Sequence, residues 1–371
     1  MVKHRCLLPF HHIAIRPNNQ VYPCCQFRHE HTPKDLNLDH KDVFNHPFMG
    51  ELRDYMVKDI PHPGCEMCYD QEKISNGTHS MRLDFVRDLG TVVPEKPILT
   101  HVDLALSNVC NNRCRMCNPE LSTNWYNDAK KLGDEFFPPV KLSGIINSKP
   151  ILDNYDLTNL RYLKLIGGEP LMEQDKFIDL LNRCNLDQLR ILLTTNTTII
   201  PRPDLHNLLK KCNVVWVNLS VDAYGDLNSF LRKGSKWENV VKTMSWFAEN
   251  FPKKSKIHGI ISIYNVNNFH LLEEFVKNTY KGNLIVEWQM VDGPNWMQPC
   301  NLPKNAKDEI FANLSKLNVN PHALRMIKSE FDKSGDIRLF LDRDAKINKV
   351  RNEDWRNLNT ELFHLIGNNC S

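Results

Sequence analysis

The sequence predicts an α/β chain built on a parallel sheet or partial barrel. Between residues 100 and 291, six apolar strand-like segments alternate with amphipathic stretches whose apolar residues recur at three- and four-residue spacing. The composition, 41% hydrophobic and 25% charged over 371 residues, supplies a full core. Cysteine, however, is concentrated in the first third of the chain, with eight of the twelve at or before position 117.

The first 80 residues form a distinct region that also holds nine of the 15 histidines. LLPFHHIAI and QVYPCC read as two short strands joined by a hairpin turn at RPNN. A helix is predicted over Pro47–Val57, and GCEMCYDQE follows a proline-rich turn. The main strands are predicted at 100–107, 161–167, 190–196, 214–222, 257–264 and 284–291, with helices such as KFIDLLNRC, WENVVKTMSWFAENF and FHLLEEFVKNTY between them. The stretch Lys130–Asn159, rich in Pro, Gly and Asp, is a long excursion before the second of these strands. Residues 303–371 add two or three polar helices, and no repeat of 20 to 50 residues is apparent. Trp216 and Trp237 are expected in the core, as are Cys184 and Cys212 at helix ends. Cys300 follows the last strand, and Cys370 adjoins the terminus.

A net charge of +3 gives no basis for binding a long nucleic acid. No apolar run reaches the roughly 18 to 20 residues of a membrane span, and MVKHRC lacks a signal-peptide apolar region, so the expectation is a soluble cytoplasmic protein without membrane contact. A disulfide scaffold belongs to short secreted chains, which leaves clustered thiols as metal or cluster ligands.

The chemistry starts after the first main strand, in SNVCNNRCRMCNPE. Cys110, Cys114 and Cys117 form a CxxxCxxC group that can hold three irons of a 4Fe-4S cube and leave the fourth open. Zinc would require a fourth ligand that the neighbouring sequence does not supply, so a zinc reading must borrow one from elsewhere. At the next strand end, LKLIGGEPLM places Gly167, Gly168, Glu169 and Pro170. Glycines permit close backbone approach, and a glutamate accepts hydrogen bonds from an ammonium group.

CxxxCxxC followed one βα unit later by GGEP resembles the radical S-adenosylmethionine (radical SAM) superfamily. The resemblance implies a partial (β/α)6 TIM-like barrel over 99–300, a SAM-binding 4Fe-4S cluster on Cys110, Cys114 and Cys117, and a SAM methionine group held at Gly167, Gly168 and Glu169. It also implies SAM contacts at Met116, for adenine, and at Asn196 beside Thr195, suited to the ribose or carboxylate. Ser220 stands at the following strand end, Asp222 suits ribose hydroxyls, and Arg232 suits the SAM carboxylate. For each, the bland alternative is a polar residue that ends a strand or caps a helix.

CLLPFHHIAIRPNNQVYPCC followed by PGCEMCYDQE resembles the SPASM/Twitch auxiliary-cluster module. That likeness implies, for residues 1–90, a second 4Fe-4S cluster on Cys6, Cys24, Cys65 and Cys68, with Cys25 competing with Cys24 for its place. A four-cysteine zinc site suits the same ligands. The module precedes the barrel here, whereas in better-known relatives it follows, and Asn19 stands where the hairpin usually has glycine. His11, His12, His29, His31 and His46 define no common spacing and no site.

The resemblance implies an enzyme: a flavodoxin- or ferredoxin-type donor reduces the cluster, SAM is cleaved to methionine and a 5'-deoxyadenosyl radical, and the radical takes hydrogen from substrate. Whether SAM is consumed or regenerated is left open. A peptide or protein substrate is the leading expectation, with a small molecule, sugar or nucleoside as the alternative. A non-catalytic iron-sulfur or zinc protein is the reading of another class, and GGEP argues against it. Residues 301–371 are a helical extension.

Overall fold

The computed structural model describes residues 4–367 apart from 19, 38–39, 75–76, 79, 134, 138–151 and 154. Asn19, Cys370 and most of the Lys130–Asn159 excursion thus lie outside the described residues. Eight strands form an open mixed sheet: β1 (His12–Ile15), β2 (Val21–Tyr22), β3 (His101–Ala105), β4 (Tyr162–Ile166), β5 (Arg190–Thr195), β6 (Val214–Leu219), β7 (Ser255–Ile261) and β8 (Val286–Met290). Their order is β2-β1-β3-β4-β5-β6-β7-β8, so the six strands read from the sequence are consecutive neighbours. This is the open, partial-barrel α/β architecture that the alternation predicts, with helices at the carboxyl-terminal end.

The N-terminal pair adds to that expectation. β1 runs parallel to β3, with Ala14 beside Asp103, and β2 closes an antiparallel hairpin on β1 through Ala14–Tyr22 and Ile15–Val21. The run LLPFHHIAI, predicted as one strand, is half helix. Leu8–His11 forms a helical turn with Pro9 in its first turn, where a missing N–H costs nothing, before the chain extends at His12. Pro47–Val57 is helical as predicted, and His46 Nδ1 accepts the Phe48 N–H at its start.

Two compact units emerge from the packing: Met1–Asn108 with Gly144–Leu193 and Pro201–Val215, and Val109–Ser143 with Thr194–Ile200 and Trp216–Ser371. In the first, the alternation of strand side chains sends Ile13, Ile15, Val102, Leu104, Leu163, Leu165, Ile191 and Leu193 into a fully buried apolar layer. The other face of the same strands carries His12, His101, Asp103, Tyr162 and Lys164, aligned by the parallel registers.

The second unit buries Val217 and Leu219 of β6, Ile257 and Ile261 of β7, and the inward faces of helices Trp237–Asn250 and His270–Tyr280. Trp216, expected in the core, is instead at the surface under the Lys254 ammonium. The same alternation that buries Val217 and Leu219 turns residue 216 outward. The C-terminal helices Lys304–Leu314, Pro321–Phe331, Ile337–Arg351 and Thr360–Gly367 complete this unit. Among the described residues no helix is long and apolar enough to cross a membrane.

Candidate cluster and cofactor sites

The CxxxCxxC loop lies in the second unit and is fixed from several sides. Its backbone pairs with the RKGS segment: Arg113 N–H donates to Lys233 O at 2.7 Å and Arg115 N–H to Leu231 O at 2.8 Å. Gly234, at φ +110°, permits this approach, since a Cβ there would stand 2.4 Å from Asn111 O. Trp125 Nε1–H donates to Cys114 O at 2.9 Å, and the Arg351 guanidinium lies over the Trp125 ring. Asp128 accepts from Arg113 at 2.8 Å and from Arg351 at 2.7 Å.

The three thiols share one electrostatic neighbourhood. Burial pushes Cys114 up to about 11, with Cys110 adding to the rise while Arg232 opposes it. Burial pushes Cys117 higher still, followed by the effect of Cys114 and Cys110. Nitrogen donors also face the sulfurs: Asn112 N–H at 3.4 Å and Asn196 Nδ2 at 3.7 Å from Cys110 Sγ, and Arg232 Nη1 at 3.9 Å from Cys114 Sγ. Buried thiols that oppose each other's ionisation but face N–H donors suit thiolates neutralised by iron, so the residues present fit a cluster. Among the described residues no three His, Cys, Asp or Glu side chains group so as to hold one metal ion.

The structure brings Asn196, Asp222 and Arg232 of the sequence-predicted contacts to this loop. Asn196 holds Asn111 Oδ1 at 2.7 Å. Ser220 N–H donates to Thr195 O at 2.9 Å, tying two strand ends together. Arg232 lies 2.7 Å from Asp222 through Nε and 3.0 Å through Nη2, and Asp222 Oδ1 also accepts the Ile260 N–H at 2.9 Å. Asp222 is fully buried, and its carboxylate aims Arg232. Met116 lies in the wall of a cavity of about 650 Å³ with Cys117, Phe137, Trp296 and Arg343.

The loop also depends on residues that the sequence reading missed. The Arg115 guanidinium is wholly buried over the Phe230 ring at 3.8 Å, and it meets Asp344 at 3.1 Å and Glu353 at 2.8 Å. Asp344 in turn accepts Trp355 Nε1–H at 2.9 Å. The C-terminal helix Ile337–Arg351 therefore braces the cysteine loop. An arginine between two cysteines, with acidic residues in a distant helix, was the only trace in sequence. Cys300 is buried near Gln298, with Glu330 and Lys307 as its charged neighbours.

Gly167, Gly168 and Glu169 belong to the first unit. Both glycines have positive φ, +72° and +52°. A Cβ on Gly167 would stand 2.7 Å from Ala105 Cβ and 2.9 Å from Pro17 Cγ, so the turn needs glycine for packing as well as conformation. Glu169 is buried, and its carboxylate accepts the Leu171 N–H at 3.0 Å.

The second cysteine group is in the first unit too. Cys65 and Cys68 sit one helical turn apart at the start of helix Glu66–Ile74, which puts both thiols on one face. Cys6 is buried with Leu7, Leu8, Phe27 and Leu52, and Cys24 and Cys65 pack on that cluster. Burial pushes Cys6 and Cys65 to about 12. It raises Cys24 too, and Cys25, Cys6, Cys65 and Cys68 add to the rise. Cys25 points elsewhere: its Sγ is 3.4 Å from Met81 Sδ and 3.9 Å from Lys164 Nζ. Cys24 and Cys25 lie in a turn that brings Phe27 N–H to Cys24 O at 3.3 Å, and in it the two thiols meet different neighbours.

Comparison with known proteins supplies the family. Residues 104–277 match the family model described as the Radical SAM superfamily. The chain is 24% identical over 189 residues to the GTP 3',8-cyclase of Helicobacter pylori, covering 49% of this chain and 54% of that protein. It is 24% identical over 197 residues to a probable GTP 3',8-cyclase of Archaeoglobus fulgidus, covering 53% and 60%. The chain thus spans little more than half the length of these relatives. Among solved structures, native anSMEcpe with bound AdoMet is similar at a TM-score of 0.42 and 19% identity, over 59% of this chain and 60% of that one. Residues 104–277, which carry CxxxCxxC and GGEP, belong to the radical SAM superfamily.

Proposed function

We propose that this chain is a radical SAM enzyme that carries two iron-sulfur clusters, one open to SAM on Cys110, Cys114 and Cys117 and one closed on Cys6, Cys24, Cys65 and Cys68. The observation that carries the reading is the set of N–H donors from Asn112, Asn196 and Arg232 facing the sulfurs of a braced CxxxCxxC loop. Cys110, Cys114 and Cys117 would hold the first cluster, which would supply the electron for reductive cleavage of SAM and so for hydrogen abstraction from substrate.

The chain's own residues bind and orient. In the first unit Gly167, Gly168 and Glu169 are suited to an ammonium group; in the second, Arg232, aimed by Asp222, is suited to a carboxylate. Asn196 orders the loop through Asn111. Residues 1–90 hold the second cluster, and the C-terminal helices from 301 onward brace the first. A flavodoxin- or ferredoxin-type protein serves as donor.

Of the two expected substrate classes, the small molecule is the one proposed. Its support is that the matched relatives are GTP 3',8-cyclases, together with the charged face of β1, β3 and β4. The deciding experiment is anaerobic reconstitution, then dithionite and SAM, with 5'-deoxyadenosine read by mass spectrometry. Product from the wild type and none from Cys114→Ala is the expected result; no product with both clusters loaded overturns the reading.

A further inference from the structure

The polar face of β1, β3 and β4 carries charge that the radical chemistry does not use. Asp103, on β3, is 1% exposed. It is paired with His12 at 3.3 Å and with Lys164 at 3.6 Å. Burial works against its ionisation, yet His12 and Lys164 hold its carboxyl down to about 2. The Lys164 ammonium is buried less completely, and it faces Cys25 Sγ as well as Asp103.

A second cation approaches the same residue. Arg16 follows β1, and its Nη2 donates to Cys25 O at 3.3 Å. Its Nε–H is buried and has no hydrogen-bond partner among the described residues. A buried guanidinium N–H without an acceptor is costly, and two cations gathered around one residue repel each other. Burial lowers Lys164, but Asp103 and Cys25 raise it above its ordinary value, and Arg16 opposes that rise. Asp103 pairs with Lys164 and His12, while the Arg16 Nε–H is left without an acceptor among the described residues.

The arrangement lies beside the SAM-binding turn. Pro17, the residue after Arg16, touches the position where a Cβ on Gly167 would sit. A group bound by Arg16 and Lys164 therefore lies near the carboxyl end of β4, where enzymes of this architecture gather their ligands.

We propose that Arg16 and Lys164 form a binding site for an oxyanion of a small substrate, a phosphate or carboxylate group, with Asp103 and His12 holding Lys164 in position. The inference rests on the small-molecule reading above. The arginine fork offers paired N–H donors to such a group and the lysine a point charge. The Arg16 Nε–H gains its acceptor, and the cation repulsion is relieved.

The test is thermal unfolding of the reconstituted protein with sodium phosphate, sodium acetate or sodium chloride at matched ionic strength. The expected result is a saturable rise in Tm of about 2 °C or more with phosphate, with acetate or with both, relative to chloride, and its loss in Arg16→Gln and Lys164→Gln. A rise with phosphate alone assigns a phosphoryl group, and a rise with acetate alone assigns a carboxylate. No rise over chloride, or an equal rise in wild type and variants, overturns the site. Because Lys164→Gln leaves Asp103 short of a partner and can fail to fold, Arg16→Gln is paired with Arg16→Lys, which restores the charge and is expected to restore part of the rise. Formation of 5'-deoxyadenosine by wild type without substrate reports on the radical reading, so either idea can fail while the other stands.

Discussion

The Arg115 guanidinium meets the Asp344 carboxylate at 3.1 Å, tying the residue between two loop cysteines to the helix Ile337–Arg351. Both groups are buried, and Glu353 lies on the same guanidinium at 2.8 Å. Removing one partner of such a group leaves uncompensated buried charge, which costs about 3–5 kcal/mol. Arg115→Met is therefore expected to lose stability of that order in denaturant unfolding. It is also expected to take up less iron at the CxxxCxxC loop than the wild type, read by iron analysis of anaerobically reconstituted protein. Unchanged midpoint and iron content would show that the loop does not depend on this brace.

Cys24 and Cys25 separate by direction, since only Cys24 joins Cys6, Cys65 and Cys68. With two clusters the wild type is expected to bind about eight irons, and Cys24→Ala about four. Cys25→Ala is expected to keep about eight. Equal losses from both variants, or one zinc in place of the second set of irons, would contradict the assignment.

Gly167 and Gly90 both have positive φ, but only Gly167 is crowded, with Ala105 Cβ 2.7 Å from where its Cβ would be. Gly90→Ala meets open space and is expected to cost about 1 kcal/mol, for conformation alone. Gly167→Ala adds overpacking and is expected to cost about 2–4 kcal/mol in the same unfolding experiment. Equal costs would mean that the GGEP turn relaxes freely.

His101 is buried on the polar face, stacked on Tyr162, and burial and then His12 lower its pKa to about 4 from 6.5 although Asp88 opposes this. The folded state therefore binds this proton less readily than the unfolded state. Its contribution is complete above pH 6.5 and is lost as pH falls toward 4, so stability declines by up to about 1.4 kcal/mol per pH unit in that window. His101→Gln is expected to flatten this slope between pH 6.5 and 5.5 in urea melts, and an unchanged slope would assign it to another group.

Much of the fold was legible because strand and helix periods are local. The helix at Pro47–Val57 and all six main strands needed only the spacing of apolar residues. Cys110, Cys114, Cys117 and GGEP were legible for the same reason, as short segments whose residue types suit one chemistry. LLPFHHIAI was not, because Pro9 starts a helical turn in a run whose apolar content equally suits a strand.

The sequence by itself determined the alternating α/β architecture, the cysteine groups and the family of residues 104–277. Only tertiary structure decided what each polar side chain does. Asp222 proved to be the partner that aims Arg232, Cys24 parted from Cys25, and Arg115 reached helix Ile337–Arg351. The physical reason is that a buried charge is tolerated only beside its partner, and those partners lie on other elements, ten to more than two hundred residues away in the chain. The meeting of Arg16 and Lys164 at Cys25 has the same origin, since parallel pairing of β1, β3 and β4 brings together residues that no local pattern connects.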